Sequence, residues 1–347
     1  MTTRAFVVAG LALCAAAAVC AASCRPTGIP PHPEDEVKLT ATDAGTTYKV
    51  HGGNAYRVDP RTGRWHLVQR VYDPGFYEKN YVERGGTIFR RADDGSLVAV
   101  RRRFADGFEG ATRLADLIGL ERGWTSCSLQ SPKARTVGDY VALRKRILAG
   151  KGDFLDNRVE PGDELAHGGR TALRSVSVPP AGGMVTAKAS LSTELLHFVK
   201  GDDVWISLWC RVPADSGMPF TVLDLETTWI ENHPGIRVAI ADGRHVCLQL
   251  KSLGNPYYRQ THGMEVDFPR GRWVRLRLHL GLTEADDGVI EVWQDDRKII
   301  DTRGRTLVLA DAIYNSLETG ITAYNEQGRP ATLFVDDVEI SAEPLPE

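Results

Sequence analysis

The stretch Trp205 to Glu226, WISLWCRVPADSGMPFTVLDLE, decides the reading of the fold. Side chains alternate across an extended strand, so Trp205, Ser207, Trp209 and Arg211 share one side while Val204, Ile206, Leu208 and Cys210 share the other. A Pro/Gly turn follows, and the next strand repeats the alternation with Asp224 and Glu226 on one side and Leu223 and Leu225 on the other. Each strand therefore has an apolar face for a core and an aromatic or charged face. Reading the two as neighbours in one sheet gives a surface of Trp, Arg and paired acids, which suits sugars. The indoles of Trp205 and Trp209 offer flat faces for sugar rings, although tryptophans in such strands more often serve a core.

Outward from this stretch the pattern is almost wholly β. Strands are expected at Thr171 to Val178, Met184 to Leu191, Val204 to Val212, Thr221 to Glu226, Gly235 to Ile240 and His245 to Lys251. They continue at Trp273 to Leu280, Val289 to Gln294, Lys298 to Asp301, Glu318 to Tyr324 and Thr332 to Ile340, with a tight turn at Asp295 to Lys298. Many short strands broken by Gly, Pro and Asp indicate an antiparallel sandwich or jelly roll. One surface helix is expected from Thr136 to Ala149, opened by a Thr136/Asp139 capping box and closed by Gly150. Its apolar side would hold Val137, Tyr140, Val141, Ile147 and Leu148, with Arg144, Lys145 and Arg146 in solvent.

Before the main body, GGNAYRVDPRTGRWHLV (52–68) and GGTIFRRADDGSLVAV (85–100) form a weak repeat, each strand, turn, strand, expected to form a small accessory unit or to pad the main domain, with packing rather than binding as its role. Arg25 to Thr47 reads as a flexible spacer. At the N-terminus Arg4, an apolar run from Ala5 to Val19, and Ala21, Ala22 and Ser23 ahead of Cys24 form an export signal. It resembles a bacterial lipobox with Cys24 as the lipidated residue; plain cleavage after Ser23 is the alternative. The expected domains are thus a signal at 1–23, a linker at 24–47, a hairpin region at 48–103 and the main domain at 104–347.

At 347 residues the chain can bury a large core, and a net charge of −3 argues against a general nucleic-acid binder. No later stretch approaches the roughly 18 apolar residues of a membrane span, so a membrane contact is expected only through the lipid anchor. Oligomeric state is left open. Beyond the signal and Cys24 remain Cys127, Cys210 and Cys247, an odd number in no zinc-binding spacing, read either as one bridge at most or as buried small apolar residues. The sequence holds no Gly-rich phosphate loop, HExxH, GxSxG or paired CxxC.

From Phe104 to Ser341 the segments GGRTALRSVSV, MVTAKASL, GDDVWISLWCRVP, VLDLE, FPRGRWVRLRLHL, DGVIEVWQDDRKIID, LETGITAY and LFVDDVEIS resemble the heparin-lyase and alginate-lyase-like polysaccharide lyases. The resemblance implies an all-β, concanavalin-A-like β-jelly-roll sandwich whose concave sheet forms a groove for an acidic polysaccharide. Such lyases break a uronate glycosidic bond by β-elimination, using a group to neutralise the C5 carboxylate, a base for the C5 proton and a donor for the leaving oxygen. Their Arg-x-Glu strand falls here on Lys188, Ala189 and Ser190, their Gln-x-His strand on Asp224, Leu225 and Glu226, and their Lys-x-Gly-x-Tyr strand on Glu318 to Thr322. Carboxylates thus stand where the family has an amide, an imidazole and a cation.

The candidate catalytic residues are Lys188, Glu226, Lys251, His279 and Tyr324, with Tyr258 as a second candidate base. Trp205, Trp209, Asp224, Arg237, Gln249, Tyr258, Gln260 and Arg277 are candidates for substrate binding. No cofactor is required; a structural calcium on Glu109, Asp336 and Asp337 is an added expectation. Three functions stand open: elimination at a non-standard site, glycan binding without cleavage, and retaining hydrolysis by Asp224 and Glu226, whose mechanism wants carboxyls about 5 to 5.5 Å apart. A fourth possibility for the two acids is an ion-pair network with Arg237 or Lys251. His233, in WIENHPG, reads as part of a turn before Pro234.

Overall fold

The computed structural model describes residues 37–40, 47–51, 54–59, 61–63 and 65–70, and from 76 to 346 all but 93–94, 229, 231–232, 252–256 and 311. The signal, Cys24 and most of the expected spacer lie outside the described residues. In chain order the elements are β1 (Val37–Thr40), β2 (Thr47–His51), β3 (Asn54–Val58), β4 (Trp65–Arg70), α1 (Phe76–Asn80), β5 (Tyr81–Arg84), β6 (Thr87–Arg91), β7 (Leu97–Ala99), β8 (Arg103–Asp106), α2 (Leu114–Leu117), β9 (Ser126–Ser128) and α3 (Val137–Leu148). There follow β10 (Arg158–Gly162), β11 (Ala172–Ser177), β12 (Ala187–Thr193), β13 (Asp203–Arg211), β14 (Phe220–Glu226), β15 (Gly235–Ala241), β16 (His245–Lys251), β17 (Tyr257–Tyr258), β18 (Trp273–Gly281), β19 (Gly288–Gln294), β20 (Arg297–Gly304), β21 (Ser316–Tyr324) and β22 (Ala331–Ser341).

Two large antiparallel sheets make the jelly-roll sandwich. An eight-stranded sheet runs β10-β11-β22-β13-β18-β19-β20 with β8 also on β22, and a seven-stranded sheet runs β17-β16-β15-β14-β21-β12-β9. Period-two alternation builds the interior: along β18 Val274, Leu276, Leu278 and Leu280 are buried while Trp273, Arg275, Arg277 and His279 are partly exposed. Leu208, Leu276 and Val292 from one sheet meet a common core with Leu225, Ile236 and Leu317 from the other, all without exposed surface. Fully burying a side chain of this kind contributes roughly 1.5–3 kcal/mol.

The eleven strands expected from Thr171 onward all form. β9, β10 and β17, which alternation does not reveal, lie at sheet edges. There β10 tolerates Pro161 and Gly162, because an edge strand has an unpaired side. The structure corrects one central expectation: β13 and β14 are not neighbours. β13 pairs β18 and β22 in the eight-stranded sheet, whereas β14 pairs β15 and β21 in the other. The connection from Val212 to Pro219, which contains a cis Met218–Pro219 bond, crosses from one layer to the other.

Helix α3 carries the expected cap: Asp139 N–H donates to Thr136 Oγ1 at 3.2 Å and Thr136 N–H to Asp139 Oδ2 at 3.0 Å. Val137, expected on its apolar side, is exposed, and Leu143 is buried instead. Arg144, expected in solvent, turns inward and donates from Nη1 to the Cys127 carbonyl at 3.1 Å. Cys127, Cys210 and Cys247 are buried and unbridged; burial pushes the thiols of Cys127 and Cys247 up to about 12 and about 11.

The two sequence repeats correspond to the β3–β4 and β6–β7 hairpins, within a four-stranded and a three-stranded sheet. β1, inside the segment expected as linker, pairs with β2. The three-stranded sheet packs on the body through Arg90, whose Nη2 meets Glu194 Oε2 at 2.7 Å, and through the Tyr81 ring edge-on to His197.

Candidate functional site

Alternation along β14 sends Leu223 and Leu225 into the core and Asp224 and Glu226 to the outward face of the seven-stranded sheet. Register then supplies their neighbours. Asp224 lies between Arg237 on β15 and Glu318 on β21, and Glu226 lies opposite Gly235, itself opposite Lys251 on β16. With no side chain at Gly235, Lys251 reaches across that rung to Glu226. β12 lies beyond β21, and a register shift between Ala187 and Ala189 brings Lys188 towards Glu318. The three strands singled out by the lyase resemblance therefore lie side by side as β14, β21 and β12.

Each acid has its own cation. Arg237 donates to Asp224 through Nε and Nη2 at 2.8 and 3.0 Å, Lys251 Nζ meets Glu226 Oε1 at 2.5 Å, and Lys188 Nζ meets Glu318 Oε2 at 3.2 Å. Ser190 Oγ donates to the other Glu318 oxygen. The acid side chains are only 1, 5 and 8% exposed for Asp224, Glu226 and Glu318, against 18, 25 and 21% for Arg237, Lys251 and Lys188. A ligand approaching this face meets positive heads with carboxylates beneath them. One oxygen from each acid lies within 4.8 Å of the other two, a spacing that suits a shared metal ion. Three protein cations already neutralise that set, so the residues do not call for one.

Burial and charge drive the titrating groups apart. Burial raises Asp224, but the Arg237 guanidinium overrides it and holds the carboxyl well below its usual range. Burial raises Glu226 to about 7, opposed by Lys251 and reinforced by Asp224 and Glu318. For Lys188 burial works downward, and the carboxylates of Glu318, Glu226 and Asp224 outweigh it and raise the ammonium. At the mouth stands His233, in the left-handed region with φ 45°; its side chain is 54% exposed, and Nδ1 is 4.0 Å from Glu226 Oε2. Burial lowers its pKa below 6.5, helped by Lys251 and Lys188, so the ring is neutral at pH 7.

Glu226 sets a pH signature. A carboxyl whose folded pKa is raised binds its proton more tightly folded than unfolded. Its stabilising contribution is complete below about 4.5, is lost as pH rises towards about 7, and then stays constant. Chemical unfolding of wild type and Glu226→Gln between about pH 4 and pH 8 checks this; the variant should lack that part of the slope.

Other expected site residues lie elsewhere. Trp205, Trp209, Arg277 and His279 belong to the eight-stranded sheet, where Trp205 stacks on His279 with centroids 3.9 Å apart and Trp209 on His167 at 3.7 Å. His279 is held between Asp203 and Glu291 at 2.7 and 2.8 Å. Tyr324 is on β21, but it is buried and its hydroxyl donates to the Arg329 carbonyl. Tyr258 likewise donates to the Arg305 carbonyl at 3.0 Å, and burial raises both phenols. Gln260 is spent on Val266, its amide donating to that backbone carbonyl and its carbonyl accepting from that N–H. Gln249 does lie in the site's sheet, opposite Arg237 and beside the exposed Tyr257.

Of the expected calcium ligands, Glu109 lies against Gly169, and Asp337 lies against Gly107 and Gly168. Glu109 accepts the N–H groups of Arg170 and Thr171, and Asp336 accepts those of His167, Gly168 and Asp337. Asp337 meets His167 Nδ1 at 2.9 Å. The residues that sequence reasoning missed are His233 and Ser190. The only signal for His233 was its place immediately beyond the acid-bearing strand, in a segment that reads as a plain turn.

No family model matches the sequence, and no curated protein does either. Among solved structures, an endo-β-1,4-glucuronan lyase from the fungus Trichoderma reesei is 12% identical with a TM-score of 0.49, covering 70% of this chain and 95% of that one. The cellulose-induced protein Cip1 is 17% identical with a TM-score of 0.44, covering 70% and 98%. Alginate lyase Aly36B is 10% identical with a TM-score of 0.43, covering 72% and 100%. A likeness at these identities extends to architecture alone; what the chain does has to come from its own side chains. Among the described residues no helix is long and apolar enough to cross a membrane.

Proposed function

We propose that this chain acts on an acidic polysaccharide at the outward face of the seven-stranded sheet and cleaves it by β-elimination, with His233 as base. The observation that carries this reading is a half-exposed, neutral imidazole next to Glu226 and within the influence of Lys251 and Lys188, two of the three cations whose heads are the more accessible part of a buried charge network. The exposed N–H groups of Arg237, Lys251 and Lys188 donate hydrogen bonds to a uronate carboxylate, which acidifies the C5–H bond. His233 takes the C5 proton, the electron pair forms the C4–C5 double bond, and the C4–O bond breaks. The proton on the imidazole then passes to the leaving oxygen, so that base and acid are one group. The export signal expected from the sequence, with Cys24 as its lipidated residue, supports a reading in which this activity lies outside the cell membrane.

A second reading, glycan binding without cleavage, is favoured by one specific feature: every acid is already paired, and the phenols of Tyr324 and Tyr258 are spent on backbone carbonyls. Retaining hydrolysis is not proposed, because Asp224 is 1% exposed and held by both arms of Arg237. Incubation with polyglucuronate, alginate and glycosaminoglycans decides between the two readings. Elimination gives ultraviolet absorbance from unsaturated ends. Retention on a glycan array with no absorbance on any polymer means binding alone.

A further inference from the structure

The eight-stranded sheet carries a second cationic face, on the opposite side of the sandwich from the site above. Cross-strand pairing sets Arg277 on β18 beside Trp293 on β19, with its guanidinium 5.7 Å from that ring's centroid. A cavity of about 360 Å³ opens there, walled by Trp205, Arg277 and Trp293 and roofed by Pro344 and Leu345 of the C-terminal tail. Among the described residues no carboxylate forms an ion pair within 4 Å of the Arg275 or Arg277 guanidinium, although Asp295 Oδ1 accepts the Arg275 backbone N–H at 3.0 Å, and the shielded Nε of Arg277 has no hydrogen-bond partner. The acids of this face are already engaged: Asp203 by His279, Glu291 by Lys298, and Glu339 by Arg103. Arg275 spends Nη2 on the Pro346 carbonyl at 3.0 Å; burial first and Arg277 second lower its pKa. On the seven-stranded sheet every cation of the site has its acid. Here Arg275 and Arg277 stand two residues apart on one strand, and the carboxylates that act on Arg275, Asp296 first among them, do so from beyond ion-pair distance.

We propose that this cavity is a binding site for an anionic sugar unit, its carboxylate on Arg277 and its ring against Trp293 and Trp205. An isolated guanidinium in a partly shielded recess favours an anion, and its planar fork binds a carboxylate through paired hydrogen bonds. The neighbouring indoles offer apolar surface that matches the C–H face of a pyranose. An acidic lipid surface fits less well. Membrane contact wants protruding apolar side chains, and none of the exposed large hydrophobic residues lies on this face; all four tryptophans of the sheet are recessed. The site stands independently of the elimination reading.

The test follows the indole N–H resonances of Trp205 and Trp293 in the full chain during titration with a glucuronate tetrasaccharide and with its carboxyl-reduced counterpart. The charged sugar should shift both signals to saturation and the reduced sugar should not. Arg277→Gln should weaken the charged sugar's binding at this site by about tenfold or more, and Lys251→Ala should leave it unchanged. Unmoved indoles, an equal response to the reduced sugar, unchanged affinity in a folded Arg277→Gln chain, or shifts with phosphatidylglycerol vesicles in place of the sugar would each overturn the proposal. The comparison of charged and reduced sugar in the wild-type chain decides even where the variant fails to fold.

Discussion

His233→Gln is expected to lower kcat for elimination by about 10²- to 10⁴-fold, the usual contribution of a positioned acid/base group, while leaving substrate binding nearly unchanged. In the proposed reading His233 is the neutral nitrogen base on the open side of the charge network; the phenols of Tyr324 and Tyr258 are spent on backbone carbonyls. Its lowered pKa gives the test a second readout. In wild type the acid limb of kcat/KM should fall below the ordinary histidine value of 6.5, because a histidine that resists protonation stays a base at lower pH. The limb should vanish from the residual rate of the variant. A variant with unchanged kcat would remove His233 from the chemistry, and loss of binding together with rate would show a role in holding the chain.

Asp224→Ala is expected to destabilise the fold by about 3–5 kcal/mol, the usual cost of removing one partner from a buried pair. The loss of two hydrogen bonds is the smaller part. Arg237 would be left with its charge among buried strands, compensated only by the more distant Glu226 and Glu318. Replacing both partners, Asp224→Ala with Arg237→Met, should recover most of the stability, because an apolar side chain leaves no stranded charge. Urea unfolding of the two variants measures this. A single-variant cost below about 1 kcal/mol would mean that the network readily repairs itself through its other acids.

These two predictions separate the roles within one site. The acids are structural: each is nearly inaccessible and neutralises a cation, and together they hold three positive heads at fixed positions. The cations and His233 face the ligand. Seen this way, carboxylates at positions where the resemblance places an amide, an imidazole and a cation do not simply repel a uronate. Their charge is cancelled within a few ångströms by Arg237, Lys251 and Lys188, so what a ligand meets is a nearly neutral face whose more exposed groups are N–H donors.

Much of this was legible from residue order. Strict alternation, as in WVRLRLHL, follows from the two-residue pleat repeat and marks a strand with one apolar face wherever it occurs. The Thr136/Asp139 cap, the Asp295 turn and the eleven strands expected from Thr171 onward were readable because each depends on neighbours a few residues away. The acid face of β14 and its pairing with Arg237 and Lys251 were also accessible, since hairpin register carries a residue directly to its partner.

Sheet membership was not accessible in this way. Alternation tells a strand which side is apolar, and both sheets of a sandwich ask for the same pattern, so the tryptophan stripe of β13 and the acid stripe of β14 read as one surface. Only long-range pairing, with β22 and β18 for one and β21 and β15 for the other, set them on opposite sides of the core. The same limit hid His233, whose turn is ordinary in sequence and significant only because the fold closes it over Glu226. The sequence by itself determined the β architecture and the composition of each face. Tertiary structure decided which faces coincide, because contacts between residues far apart in the chain depend on which strands pair, and a local repeat carries no record of that choice.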